Sequence, residues 1–394
     1  MQIKYSLSAS ALILILILVG CSNFKKIYKD GFVGSENFYA EVNYETNLDL
    51  ILLPVEIEGE TYRFLFDTGA PNVISNELSE KLGTKKLRNG KVGDSQGNSD
   101  RLSVVMLDSV SIGGVSFYNT GSIVADLNLA VEIGCLKIDG ILGANLMKFA
   151  YWRIDSKNQI ITLSSNLDTL SIGLTNPHIL EFEPRRTYTP MVSLSLNDSL
   201  IDYVTYDTGS GGYVTLGKNI KLDSESQLAE YCGYGSTGLY GSNLDTVRYG
   251  RIQVGLADFQ QIGVGSYSQS TSKKLLGMEF LEQFVQILDW ENNRITLFED
   301  EIVPQKFNRY PVIPRWVDGA LIVGGLNTDT SFQNLDFFIG DSIRKLNNLD
   351  FENGDVSVYC DLLSLPDSLK GDTLKIELLS GKRRELSRVT INVE

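Results

Sequence analysis

The sequence predicts a mainly β protein made of two related halves and a smaller α+β unit. Three observations carry this expectation. Between residues 38 and 300, short runs of β-branched and aromatic residues are punctuated by Gly, Asn and Asp. Within that span a set of motifs occurs twice, and after Pro304 the pattern changes. At 394 residues the chain exceeds one ordinary core, so two or three compact units are expected. Its net charge of −14, from 49 acidic and 35 basic residues with no basic block, argues against nucleic acid as a partner.

The first element is Met1–Cys21. Lys4 gives a positive start, and Ala11–Val19 is apolar but too short for a hydrocarbon core needing roughly 20 residues, so residues 1–21 are expected to be a signal peptide. Leu18-Val19-Gly20-Cys21 resembles a bacterial lipobox. The resemblance implies that Cys21 is lipidated and the protein is exported and membrane-anchored, facing the periplasm or the cell surface. A plain secretory signal is the alternative. Residues 22–37 are expected to form a polar tether. Cys135, Cys232 and Cys360 then remain, widely scattered and without a C-x-x-C pair. They allow at most one disulfide, and three buried or free thiols are the expectation.

His178 is the only histidine, in the linker-like stretch Asn176-Pro177-His178-Ile179. No G-x-S-x-G accompanies it, H-E-x-x-H is impossible, and neither a Walker loop nor a strand-G-x-G-x-x-G-helix arrangement occurs. No metal and no cofactor is therefore expected, and carboxylates are the candidates for chemistry.

The repeat supplies two of them. Leu52–Ile57 and Tyr62–Phe66 read as a hairpin turning at Glu58-Gly59, and Met191–Leu196 with Ile201–Tyr206 as its counterpart turning at Asn197-Asp198. Each second strand ends in Asp-Thr-Gly: Asp67-Thr68-Gly69-Ala70 and Asp207-Thr208-Gly209-Ser210. Downstream, Ile141-Leu142-Gly143 and Leu275-Leu276-Gly277 are followed at matching offsets by Asp155 and Asp289, and by Ile160–Leu163 and Arg294–Leu297. A lone D-T-G reads as a turn. Two at equivalent places in a duplication suggest two carboxylates at a shared interface.

Hydrophobic-hydrophobic-Asp-Thr-Gly-[Ala/Ser] with a later hydrophobic-hydrophobic-Gly resembles the signature of aspartic proteases. The single chain with two D-T-G lobes is similar to pepsin, and the short lobes are similar to retropepsin-like bacterial enzymes. The resemblance implies two pseudo-two-fold related β-barrel lobes, residues 38–166 and 178–302. It makes Asp67 and Asp207 the catalytic dyad, lets Thr68 and Thr208 lock the loops together, and has Gly69 and Gly209 permit their close approach. The strands ending in Gly143 and Gly277 would thread behind them. Hairpins around Gly93 and Gly97, and around Gly235 and Gly238, are the flap candidates, with ordinary surface hairpins as the alternative. Pro71–Gly83 is expected to be a short helix. Ala70 cannot donate a side-chain hydrogen bond to its carboxylate, whereas Ser210 is expected to do so.

Residues 305–394 resemble a bacterial PDZ domain, carried by Gly319–Gly325, the box Gly340-Asp341-Ser342-Ile343 with Leu346-Asn347-Asn348, and Gly371–Leu379. The resemblance implies that Gly319, Ala320, Leu321, Ile322 and Val323 receive an extended peptide, with Val356–Leu363 as the flanking helix. Asp318 would oppose a carboxylate ligand, so internal docking is the alternative. The expected protein is an aspartic endopeptidase acting as a monomer on polypeptides. A non-catalytic peptide-binding lipoprotein of the same fold is its rival.

Overall fold

The computed structural model describes residues 27–329, 332, 335–365 and 371–393. The expected signal peptide, the expected lipidation site Cys21 and the first part of the expected tether lie outside them. The chain is mainly β. Among the described residues no helix is long and apolar enough to cross a membrane.

Both hairpins form where the turn residues demand it. Leu50–Ile57 pairs with Glu60–Asp67 through Glu58 and Gly59, and Pro190–Leu196 with Ser199–Tyr206 through Asn197 and Asp198, all four at positive φ. Alternation buries Leu53, Val55, Phe64 and Phe66 on one face of the first. Gly140–Gly143 runs parallel to Glu60–Asp67, with Leu142 opposite Phe66. Leu275–Leu276 runs parallel to Ser199–Tyr206, with Leu276 opposite Tyr206.

The two repeats meet in a sheet. Tyr39–Asn43, Ile160–Ser164, Tyr151–Asp155, Phe284–Asp289, Arg294–Glu299 and Pro177–Pro184 are consecutive neighbours, and the last leads into Pro190–Leu196. Tyr151–Asp155 and Phe284–Asp289 are antiparallel, with Arg153 directly opposite Ile287, which has the same offset from Gly277 that Arg153 has from Gly143. One apolar cluster containing Phe66, Trp152, Tyr206 and Phe280 spans both repeats. The repeated Asp155 and Asp289 build turns: each accepts a hydrogen bond from the amide of the asparagine three residues on, Asn158 at 3.1 Å and Asn292 at 2.9 Å.

The C-terminal segment packs strands around one helix, Val356–Leu363, whose first turn is capped by Asp355 accepting from the Ser357 amide. Its hairpin Val312–Val317/Ala320–Asn327 turns at Asp318-Gly319 and joins the sheet of the second repeat. Tyr231, Cys232 and Gly233 of Gln227–Tyr234 lie opposite Asn327, Leu326 and Gly325.

Four expectations are corrected. The tether does not extend to residue 37: Ile27 and Tyr28 are buried, and Phe32–Val33 pairs with Val115–Ala125, because these apolar residues find a surface on the first repeat. Pro71–Gly83 is not one helix. Val73–Ser75 is a buried strand, and the helix is Asn76–Lys81, capped by Ser75 and ended before Gly83 at φ 58. His178 lies in no linker but in the strand Pro177–Pro184, whose alternating burial follows Ile-Leu-Glu-Phe-Glu. The cysteines are not three thiols: Cys135 and Cys360 form a disulfide across 225 residues, and Cys232 is free.

Candidate active site

The two Asp-Thr-Gly turns cross. Thr68 and Thr208 are wholly buried, and their contacts are reciprocal. The Thr68 amide donates to Thr208 Oγ1 at 3.0 Å and the Thr208 amide to Thr68 Oγ1 at 3.1 Å. Thr68 Oγ1 donates to the Tyr206 carbonyl at 2.6 Å and Thr208 Oγ1 to the Phe66 carbonyl at 2.9 Å. Each hydroxyl thus satisfies two backbone groups of the other turn that no water reaches.

This lock brings the carboxylates together. A Cβ on Gly69 would stand 2.6 Å from Asp207 Oδ1, and one on Gly209 would stand 2.3 Å from Asp67 Cγ, so only glycine allows each turn to lie against the opposite carboxyl. Gly143 and Gly277 back the turns in the same way. An added Cβ would meet the Ala70 carbonyl at 2.5 Å in one and the Ser210 carbonyl at 2.6 Å in the other.

The carboxyls differ. Each accepts a hydrogen bond from the amide two residues on, Gly69 to Asp67 at 2.7 Å and Gly209 to Asp207 at 3.0 Å. Burial raises Asp67 to about 6, although the Gly69 and Ala70 amides and Asp207 favour its ionised form. Burial, followed by the neighbouring Asp67 charge, raises Asp207 well above the usual carboxylate range. Burial and mutual repulsion thus both favour a proton shared by the pair over ionisation of both carboxyls. Ser210 forms no side-chain hydrogen bond to Asp207; its amide instead donates to the Asp207 carbonyl at 3.2 Å. The expected Ser210 donor is corrected, and the extra support comes from the Ala70 amide on the other side.

The flap candidates meet each other. Gly93 ends the strand Arg88–Gly93, and Gly97 lies in the turn before Ser99–Ile112. Asp94 at that turn accepts from the Gln96 and Asn98 amides through Oδ1, and through Oδ2 from the Tyr240 amide of the second hairpin at 3.1 Å. Gln96 Nε2 donates to Ser236 Oγ at 2.7 Å, and Tyr240 Oη to the Val92 carbonyl at 2.9 Å. Gly238 lies so close that a Cβ would stand 2.4 Å from Asp94 Oδ2. Leu239, Ala70 and Val92 each pack against the apolar cluster that includes Leu52, Leu65 and Ile141. The tip of the second hairpin and Ala70 of the Asp67 turn thus rest against one apolar cluster.

Residues Gly319–Val323 offer a peptide only part of a strand edge. Asp318 and Gly319 form the turn, and the strand Ala320–Asn327 is paired along one edge with Val312–Val317. Its other edge is met by residues 340–342 and by Gln227–Tyr234. At Ile322 and Val323 the edge expected to receive a peptide is thus met by the chain's own residues 340–342.

The buried pair Asn72 and Asn145 had not been singled out in the sequence. Asn72 Oδ1 accepts from the Gly143 amide at 2.7 Å, Asn145 Oδ1 from the Asn72 amide at 2.6 Å, and Asn145 Nδ2 donates to the Gly121 carbonyl. Each asparagine stands next to a repeated motif, and an amide side chain inside an apolar run was the available signal. Among the described residues no cluster of three or more His, Cys, Asp or Glu could hold a metal.

A family model described as aspartyl protease matches residues 53–146, from the first hairpin through Asp67 and Gly143 into the short helix Ala144–Met147. The match supports a retropepsin-like aspartyl protease domain over that segment. No curated protein matches the chain.

Proposed function

We propose that this protein is an aspartic endopeptidase whose catalytic pair is Asp67 and Asp207, one from each of two lobes related by a pseudo-two-fold axis. One observation carries the reading: two Asp-Thr-Gly turns are locked through reciprocal threonine bonds, with each glycine against the opposite carboxyl. Arg153 opposite Ile287 supports the axis, since a two-fold places equivalent residues face to face.

Water held between the carboxyls gives a proton to ionised Asp67 while protonated Asp207 donates to the scissile carbonyl oxygen. The resulting tetrahedral diol collapses as the amine leaves with a proton. No covalent intermediate forms. The paired hairpin tips close over an extended polypeptide.

The protein is exported and anchored through Cys21. The Cys135–Cys360 disulfide supports an oxidising compartment. The C-terminal unit is PDZ-like, with docking inside the chain in place of peptide capture.

Peptide-library cleavage by wild type, Asp67→Asn and Asp207→Asn tests the reading. Pepstatin-sensitive cleavage lost in both variants is expected. Cleavage that persists in either overturns it, and a wild type that binds peptides without cutting them favours the binding lipoprotein.

A further inference from the structure

The C-terminal unit touches both sides of the proposed cleft. It reaches the second hairpin through the strand pairing at Tyr231–Gly233, and the first repeat through the Cys135–Cys360 disulfide. Between these attachments lies Arg315, in the strand Val312–Val317 and mostly buried. Its Nη2 donates to the Gly235 carbonyl at 2.6 Å, and its Nη1 to Thr237 Oγ1 at 3.2 Å, both in the second hairpin. Nη1 also donates to Glu132 Oε1 at 2.8 Å, beside the disulfide, and Tyr359 Oη donates to the same oxygen at 3.2 Å. One guanidinium therefore ties the hairpin tip, the first repeat and the C-terminal unit. Its fork geometry suits this, which an ammonium could not reproduce.

We infer that Arg315, held by Glu132 and the Cys135–Cys360 disulfide, is a positioning residue that fixes the second hairpin over the carboxyl pair, so that the disulfide's redox state governs how readily the cleft opens. The regulatory meaning rests on the proteolytic reading, but the mechanical link does not.

A dithiol is the reductant class that would release the brace. Its thiolate attacks Cys360 Sγ, since Cys360 is the less buried partner, and the Cys135 thiolate leaves and takes up a proton. The second thiol then displaces Cys360 as the reductant closes to its own disulfide, passing two electrons and two protons to the protein.

Amide exchange on the oxidised full chain, the chain treated with dithiothreitol, and the Cys135→Ala/Cys360→Ala and Arg315→Lys variants tests the link. Exchange over residues 233–243 is expected to accelerate at least about tenfold on loss of the disulfide and to a lesser degree in Arg315→Lys, with residues 151–164 unchanged. Unchanged exchange over 233–243, or equal acceleration over 151–164, overturns the proposal. If the double variant fails to fold, the dithiothreitol arm decides. In parallel, KM for a quenched-fluorescence peptide is expected to change severalfold on reduction with kcat little altered. Equal change in kcat and KM overturns the gating role, whereas absence of hydrolysis in every form counts against the proteolytic reading alone.

Discussion

Gly209 lies against Asp67 so closely that a methyl group there would stand 2.3 Å from the carboxyl carbon. The carboxyl is held by the Gly69 amide on Asp67 Oδ1 at 2.7 Å, and the turn that carries Gly209 by the Thr208 amide bond to Thr68 Oγ1, so neither side yields freely. Gly209→Ala is therefore expected to lower kcat by at least about a hundredfold, the scale of misplaced acid-base groups. Gly212→Ala, where an added Cβ would come no nearer than 3.7 Å to Thr215 Oγ1 and the backbone is not left-handed, is expected to leave the carboxyl pair in place. Single-turnover kinetics on both variants checks the contrast.

The acid limb of the pH–rate profile follows from burial. The proposed mechanism needs one proton on the pair, and Asp67 is raised to about 6, so kcat/KM is expected to rise with pH around 6, above the ordinary carboxylate range, and to fall only when Asp207 ionises. Stability runs the other way. An acid whose folded pKa exceeds its unfolded value keeps its proton longer when folded, so stability is greatest below about 4 and declines as pH rises through the folded values. Asp207→Asn is expected to reduce this decline between pH 4 and 7, as urea titrations at fixed pH would measure.

Thr208→Val removes a hydroxyl that serves the Thr68 amide and the Phe66 carbonyl in a site closed to water. Two buried backbone groups are left without partners, at about 1–3 kcal/mol each, so a loss of roughly 2–6 kcal/mol in unfolding free energy is expected. Thr208→Ser, which retains the oxygen, is expected to recover most of it.

His178 joins three strands' ends. Its ring bonds to Asp258, in the turn after Leu244–Leu256, and through Nε2 to Glu299 at 2.9 Å. Burial opposes charging of the ring, but the two carboxylates outweigh it and its pKa is raised. A base with a raised folded pKa contributes stability that is fully present below its unfolded value near 6.5 and lost as pH climbs through the folded one. The Tm difference between wild type and His178→Gln is therefore expected to be larger at pH 6 than at pH 9. Equal differences would assign His178 a packing role alone.

What could be read from the sequence was what local chemistry forces. The turns at Glu58-Gly59 and Asn197-Asp198 use residues that accept a positive φ, and the glycines at 69, 143, 209 and 277 are fixed by close approach, so the glycines repeat with the structure. The Cys135–Cys360 bond joins positions 225 residues apart with no pattern between them, and the meeting of Asp94 with Tyr240 depends on how two separate hairpins lean. The strand through His178 was hidden by the Asn-Pro before it, a turn signal that here only begins the strand. Ser210 carries a donor, but letters do not say where a hydroxyl points.

The sheet uniting the repeats has a bearing on how the molecule tolerates a break. The stretch around Gly173 is an exposed connection, with Ile172 at 73% exposure, while Tyr151–Asp155 remains hydrogen-bonded to Phe284–Asp289 on the far side of it. A chain severed there keeps its two pieces joined by backbone bonds and a common apolar interior. Two separately synthesised fragments meeting at that point would have a ready-made seam along which to reassemble, restoring both halves of the carboxyl pair at once.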